Sequence, residues 1–301
     1  MLRTIGWLSA PALLRISLAA LAAYAAAIPA DAQGNAPAKC EPQGPLVELP
    51  DLPEASGIAA SRRAPNRLWA HNDSGKPLLF ALDTNGSVTG RVQLSGIEIE
   101  DWEAVAVGPC PDGSCIYVGD IGDNEAARKH VTVYRLPEPS APNASVQAKE
   151  TFHATYPDGA HDAEALLVTP AGDILIVTKG ETGGVALYRF PKELRSDDTH
   201  RLELVAKPNA PRKTRAGERI TDGAVSPKGD SVVLRSRDQL VFHRTGDLLA
   251  GKWQPVATVD LKPMGEPQGE AVAVGERGTV FLAGEGGGQS RPGTFRRATC
   301  R

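Results

Sequence analysis

The chain lacks the short motifs that announce the commonest hydrolytic and nucleotide chemistries. It has no G-x-S-x-G elbow, no H-E-x-x-H, no P-loop and no C-x-x-C. Serine-esterase, zinc-protease and phosphate-loop mechanisms therefore have no motif to stand on. Excess positive charge is also missing. With 33 Lys and Arg against 36 Asp and Glu, the formal net charge is −3, so no electrostatic footprint for nucleic acid exists. After residue 32 no apolar run is long enough to span a bilayer, and no segment keeps an amphipathic helical period.

What is present begins with a leader. Arg3, Arg15, the apolar run ISLAALAAYAAA (16–27) and Ala30-Asp31-Ala32 fit an export signal cleaved after Ala32. The run is too short for a comfortable membrane span, and no cysteine at the cleavage point offers a lipid anchor. The expected organisation is a signal peptide over 1–32 and one domain over 33–301, periplasmic or secreted and monomeric. The four cysteines form two suggestive pairs. Cys110 and Cys115 flank the turn-forming PDGS, and Cys40 and Cys300 lie near the two ends of the exported chain. An even count in an exported protein favours disulfides, and the spacing matches no usual zinc pattern.

Five segments share one pattern, an acid and small residues leading into a short apolar run. They are EASGIAAS (54–61), DWEAVAVG (101–108), DAEALLVT (162–169), ITDGAVSP (220–227) and QGEAVAVG (268–275). Their marker acids, Glu54, Glu103, Glu164, Asp222 and Glu270, are 49, 61, 58 and 48 residues apart. Repeats of this period point to propellers or solenoids. Further β-rich runs follow each marker, bounded by Gly, Pro, Asp and Asn, which makes four strands per repeat. The fifth repeat lacks its outer strand, and GPLVELPDL (44–52) is the spare segment able to supply it. The expected fold is all-β, a five-bladed β-propeller closed by an N-terminal strand and stapled by Cys40–Cys300. Two insertions stand out: the Pro/Ser-rich EPSAPNAS (138–145), and KPNAPRKTRAGER (207–219), whose Lys207, Arg212, Lys213, Arg215 and Arg219 read as a solvated basic loop.

In a propeller the first strand of each blade lines the central channel. The marker acids open those strands and should ring the channel mouth. The ends of the second strands should lie just outside them: His71-Asn72-Asp73, Asp120 to Asn124, Lys179-Gly180-Glu181, Arg235-Ser236-Arg237 and Gly284-Glu285. One of these ends, VGDIGDNEAARK (118–129), packs Asp120, Asp123, Asn124 and Glu125 into a single turn. Carboxylates crowded at a channel mouth repel one another, so they hold protons or a cation. Oxygen ligands without His or Cys favour calcium. The candidate ligands are Glu54, Glu103, Asp120, Asp123, Glu164, Asp222 and Glu270; the alternative is that these acids accept N–H groups of neighbouring blades. Lys179, Arg235 and Arg237 are candidates for binding an anionic ligand, or else inter-blade ion pairs. His71 and His161 are candidate general bases, or else structural histidines.

The segments EASGIAAS…LWAHNDSG, DWEAVAVG, YVGDIGDN…R and VYRLPEP resemble a broad group of exported bacterial β-propeller proteins of unassigned activity. More distantly, DAEALLV and GEAVAV are similar to the inner strands of β-propeller phytases and their esterase-like relatives. DWEAVAV with YVGDIG is similar to the five-bladed calcium-activated nucleotidases. The resemblance implies a central calcium held by Glu54, Glu103, Glu164 and Glu270, and hydrolysis of phosphate esters or anhydrides. Blade four departs from the pattern, because ERITDGAV offers Asp222 or Glu218 in place of the expected Glu. The expected function is an exported calcium-binding propeller whose channel face receives a small anionic molecule or a protein surface. The alternative is a calcium-dependent phosphoric ester or anhydride hydrolase.

Overall fold

A computed structural model describes residues 37–181, 183–209, 214–288 and 291–301. The leader expected over 1–32 lies outside the described residues, as do Arg212 and Lys213 of the basic insertion. The chain enters through β1 (Cys40–Pro42) and β2 (Val47–Leu49). Blade one is β3 (Ala55–Ala60), β4 (Arg67–Asn72), β5 (Leu78–Asp83) and β6 (Val88–Ser95). Blade two is β7 (Trp102–Cys110), β8 (Gly113–Asp120) and β9 (Val131–Pro137), then an excursion through β10 (Ala144–Gln147) to β11 (Glu150–Thr155). Blade three is β12 (Ala163–Val168), β13 (Ile174–Thr178) and β14 (Leu187–Arg189), then β15 (Thr199–Arg201) and β16 (Glu203–Ala206). Blade four is β17 (Ile220–Val225), β18 (Ser231–Ser236), β19 (Gln239–Arg244), the one-turn helix α1 (Thr245–Leu249) and β20 (Pro255–Asp260). Blade five is β21 (Gln268–Val274), β22 (Thr279–Glu285) and β23 (Gly293–Cys300).

The five sheets close a ring. Each inner strand touches the next, and β21 touches β3. Blade five takes its outer strand from the N-terminus, where β1 and β2 both pair antiparallel with β23. Cys40 sits opposite Cys300 in that pairing, and the two form a disulfide. Cys110 and Cys115 form the second disulfide across the tight β7–β8 turn. Both pairings match the expectation, and the fold is the five-bladed propeller with N-terminal closure.

The core is not one mass but a slab between each pair of neighbouring blades. Alternate residues of a strand point to opposite faces of its sheet. On β8, Ile116 and Val118 pack toward Trp69 and Leu79 of blade one, while Cys115 and Tyr117 pack toward Leu166 and Tyr188 of blade three. Both faces are apolar, which explains why the strands read as continuous hydrophobic runs instead of alternating ones.

One expectation about the insertions changes. The end of EPSAPNAS becomes β10, which adds a fifth strand to blade one, parallel to β6. β15 does the same to blade two, parallel to β11. Each is an excursion between the third and fourth strands that leans back on the preceding blade, and pairing across a blade boundary leaves no local periodicity to read. Glu138, the first residue of EPSAPNAS, is buried and accepts hydrogen bonds from Ser61, Trp69 and Ser114, so it braces blade one to blade two. The described part of the basic loop is a surface segment, with Arg219 paired to Glu181 at 2.6 Å. No helix among the described residues is long and apolar enough to cross a membrane.

The Cys40–Cys300 bond closes a loop of 260 residues, worth about 5 kcal/mol in the chain-entropy model. The Cys110–Cys115 bond spans 5 residues and should contribute about 2 kcal/mol. Chemical denaturation of the Cys40→Ser/Cys300→Ser and Cys110→Ser/Cys115→Ser pairs should show the larger loss in the first. Equal losses would mean that ring closure does not depend on the terminal staple.

Candidate functional site

In all five blades the first strand slips one residue against the second at the same place. The slips fall between Ala55 and Gly57, Trp102 and Ala104, Ala163 and Ala165, Ile220 and Asp222, and Gly269 and Ala271. The extra residue of each bulge is therefore Ser56, Glu103, Glu164, Thr221 or Glu270. Bulges re-aim side chains, and in blades one and four the extra residue reaches the next blade. Ser56 Oγ donates to the carbonyl and the carboxylate of Glu103, and Thr221 Oγ1 donates to the Glu270 carbonyl at 2.7 Å.

This register sorts the expected ligands. Glu103, Glu164 and Glu270 are equivalent bulge residues. Glu54 is not; it stands two residues before its bulge, where blades two and three carry Asp101 and Asp162. Asp222 stands one residue after its bulge, is 1% exposed, and accepts N–H groups from Gly223 and from Val272 of blade five, each at 2.7 Å. Asp222 is thus a brace between blades four and five, the arrangement expected as the alternative to a ligand role. The D-x-E spacing of Asp101 with Glu103 and of Asp162 with Glu164 is the sequence signal for the two further acids.

The mouth is strongly acidic. Burial first, then the charge of Asp101, pushes the Glu103 carboxyl up to about 8. Burial and Glu103 raise Glu164 well above the carboxylate range. Burial brings Glu270 to about 7, with Glu285 adding to the rise. Burial, Glu54 and Glu285 bring Asp73 to about 6. Each of these acids feels the next, so Glu54, Asp73, Glu285, Glu270, Glu164, Glu103, Asp101 and Asp162 form one linked circuit. Asp73, Asp101, Asp162 and Glu285 are its members that were not among the expected ligands.

One ammonium sits among them, and the guanidinium groups of Arg128, Arg235 and Arg237 act on Asp101, Glu270 and Glu285 from outside. Lys179 Nζ contacts the Glu164 carboxylate and lies 3.4 Å from Asp162 Oδ2. Burial opposes its charge, but Glu164, Asp162 and Glu103 more than offset that and raise its pKa. Lys179 is therefore the built-in counter-ion of the acid ring and not an open anion clamp. Arg235 is 0% exposed; it pairs with Glu266 at 2.7 Å and donates to the Ala271 carbonyl of blade five. Arg237 donates to the Pro267 carbonyl at 2.9 Å. Buried pairing and backbone bonding thus consume Arg235, and it cannot meet a ligand at the mouth.

The oxygen-rich turn after β8 uses its own acids. Asp120 accepts the N–H groups of Glu100 and Asp101 and pairs with Arg128 at 2.8 Å. Asp123 accepts the N–H groups of Ala127 and Arg128, both at 2.9 Å. Its own N–H donates to Asp162 Oδ1. Asp120 and Asp123 therefore shape the loop, and the Asp123 N–H docks it on blade three. A Cβ at Gly122 would stand 2.4 Å from the Asp101 carboxylate, so only glycine lets this loop lie against the acid ring.

The two candidate histidines sit in different surroundings. His71 is buried, stacked at 4.0 Å on Trp102, and burial lowers its pKa to about 3. His161 Nε2 lies 3.1 Å from both Asp158 Oδ1 and the Tyr188 hydroxyl, in an aromatic cluster with Tyr156. Among the described residues no three Asp, Glu, His or Cys side chains converge into a ready ligand set. At the other end of the channel the inner strands enclose a cavity of about 300 Å³ whose single charged lining residue is Arg62.

No family model matches the chain, and no curated protein matches it. Solved structures match at low identity. The PQQ-bound aldose sugar dehydrogenase of Streptomyces coelicolor is 10% identical, with 88% of this chain and 100% of that chain covered and a TM-score of 0.52. A luciferin-regenerating enzyme is 11% identical over 86% and 95% of the two chains, with a TM-score of 0.47. A gluconolactonase of Xanthomonas campestris is 12% identical over 87% and 96%, with a TM-score of 0.44. At these identities the likeness is one of fold, and the class it joins is that of the β-propellers.

The raised carboxyls give a pH signature. Glu103 and Glu270 titrate near 4.5 when unfolded and near 8 and 7 when folded, so the folded state binds more protons in that window. Stability must then fall as pH rises through it. His71 and His243 act oppositely, but only below about 6.5, because burial lowers them to about 3 and 4. Acidifying metal-free protein from pH 8 to 6.5 should therefore raise its melting temperature, and Glu103→Gln should flatten the rise. A rise of the same size in the variant would remove Glu103 from the effect.

Proposed function

We propose that this protein is an exported propeller whose acidic channel mouth binds calcium and presents a ligand-binding face. The observation that carries the reading is the common bulge. It brings Glu103, Glu164 and Glu270 to equivalent positions, joined by Asp101, Asp162, Asp73, Glu54 and Glu285, with Lys179 as the one ammonium among them. The donor set is all oxygen, which fits a hard cation, and its negative charge exceeds what one lysine neutralises. Glu103, Glu164 and Asp162 do not converge while Lys179 stands between Asp162 and Glu164, so calcium would have to draw them together as Lys179 turns aside; it would supply a positive centre for a ligand's oxygen atoms. Two disulfides support an oxidising destination. The hydrolase reading is weaker, because Lys179 and Arg235, two of the three groups expected to grip a phosphate, are paired with the protein's own carboxylates, and only the exposed Arg237 keeps its charge unpaired among the described residues.

Calcium titration of chelator-stripped protein, followed by melting temperature, tests the reading. A saturating rise in the micromolar to low-millimolar range is expected. Glu103→Gln should weaken calcium by at least about tenfold, the scale of losing a supporting group at a metal site. Lys179→Met should tighten calcium, because it removes the competing ammonium. No shift with calcium would leave the acids as proton-sharing braces of the ring and end the proposal.

A further inference from the structure

A second polar recess opens on the mouth face of blade two, outward of the acid ring. It holds about 140 Å³, between the start of β9, the end of β11 and the loop from Asp123 to His130. By volume that is room for about four or five water molecules. Val131 and Ala154 give it an apolar wall, Tyr156 lines its inner side, and Lys129 and His130 stand exposed at its rim.

The groups lining it divide into spent and unspent. Arg128 is spent on Asp120, on Glu100 and on the Gly122 carbonyl. Both Asp123 carboxylate oxygens accept backbone N–H groups. Lys129 makes no ion pair among the described residues. The Tyr156 hydroxyl is buried and has no hydrogen-bond partner among the described residues. It lies within the electrostatic reach of Asp123 and Arg128, two other lining residues, and burial keeps it protonated and able to donate. A buried hydroxyl without a partner costs free energy that a ligand acceptor would recover. The recess thus offers unspent donors, one full positive charge and a small apolar wall.

We infer that this recess binds a small aliphatic monocarboxylate, held between Lys129 Nζ and the Tyr156 hydroxyl, with its short carbon chain against Val131 and Ala154. A phosphate dianion suits it less. Only Lys129 brings an uncommitted full charge, and the carboxylates of Asp123 and Asp162 act on the same hydroxyl.

Propionate is the probe, with inorganic phosphate and sodium chloride at matched ionic strength as comparisons. Chelator is present throughout, so the result does not depend on calcium at the acid ring. Propionate should raise the melting temperature saturably, above any effect of chloride. Lys129→Met and Tyr156→Phe should each weaken it by about tenfold or more, the scale of a hydrogen bond to a charged group. Tyr156→Phe should leave the unliganded melting temperature unchanged or higher, because it removes a hydroxyl that bonds nothing. The inference is overturned if propionate acts no differently from chloride, or if its effect survives both substitutions. It is overturned in its ligand class if phosphate binds as tightly through the same two residues. A loss of unliganded stability in Tyr156→Phe would show that the hydroxyl has a partner within the protein, and would overturn it too.

Discussion

Five strands must crowd around one axis, and the structure depends on that crowding. The inner strands read ASGIAA, WEAVAV, AEALLV, ITDGAV and QGEAVAV, dominated by small residues wherever they approach one another. A Cβ at Gly57 would meet His71 Nε2 at 2.3 Å and the Val105 backbone at 3.1 Å. The bulge shared by all five strands relieves this crowding and increases local twist. It also places one extra residue per blade at the mouth. Where that residue is Ser or Thr, it donates a hydrogen bond to the next blade; where it is Glu, acidic groups accumulate at the mouth.

The same crowding sets the electrostatics. Small residues bring the strands close and exclude water, so burial is the first cause of each large shift at the mouth. Lys179 neutralises one sector, between blades two and four, and leaves the sector formed by Glu54, Asp73 and Glu285 with only the Arg237 guanidinium acting on Glu285. Buried braces such as Arg235 with Glu266 and Asp222 with Val272 lie just behind the ring, where breaking one partner would strand a polar group in a dry place. A rigid scaffold and a mouth with surplus charge thus follow from one packing problem.

The repeat count, the missing outer strand and the terminal disulfide were legible because each rests on chain order, which a sequence displays directly. Register was not. The acids of blades one and four looked equivalent to Glu103, yet the bulge assigns Ser56 and Thr221 to that place, since a one-residue slip is invisible when only residue type is matched. The destinations of Arg235 and Asp120 were equally hidden. Side chains at second-strand ends can face the channel or the adjacent blade, and which they choose depends on partners such as Glu266 and Arg128 that arrive from other parts of the chain.

The turn after β8 joins these threads. Its Gly122 lies against Asp101 and Glu103 with no space for a side chain, and its Asp123 N–H is bonded to Asp162. The next turn of chain, fixed by Asp123 through Ala127 and Arg128, delivers Lys129 and His130 to the outer recess. Asp120 and Arg128 clamp the base of the loop from beneath. The carboxylates that resembled metal ligands instead hold one rigid loop in contact with the acid ring on one side and the recess on the other. A loop so placed cannot shift at either end without straining the hydrogen bonds that define the other, so the geometry of both sites is set by the same few bonds.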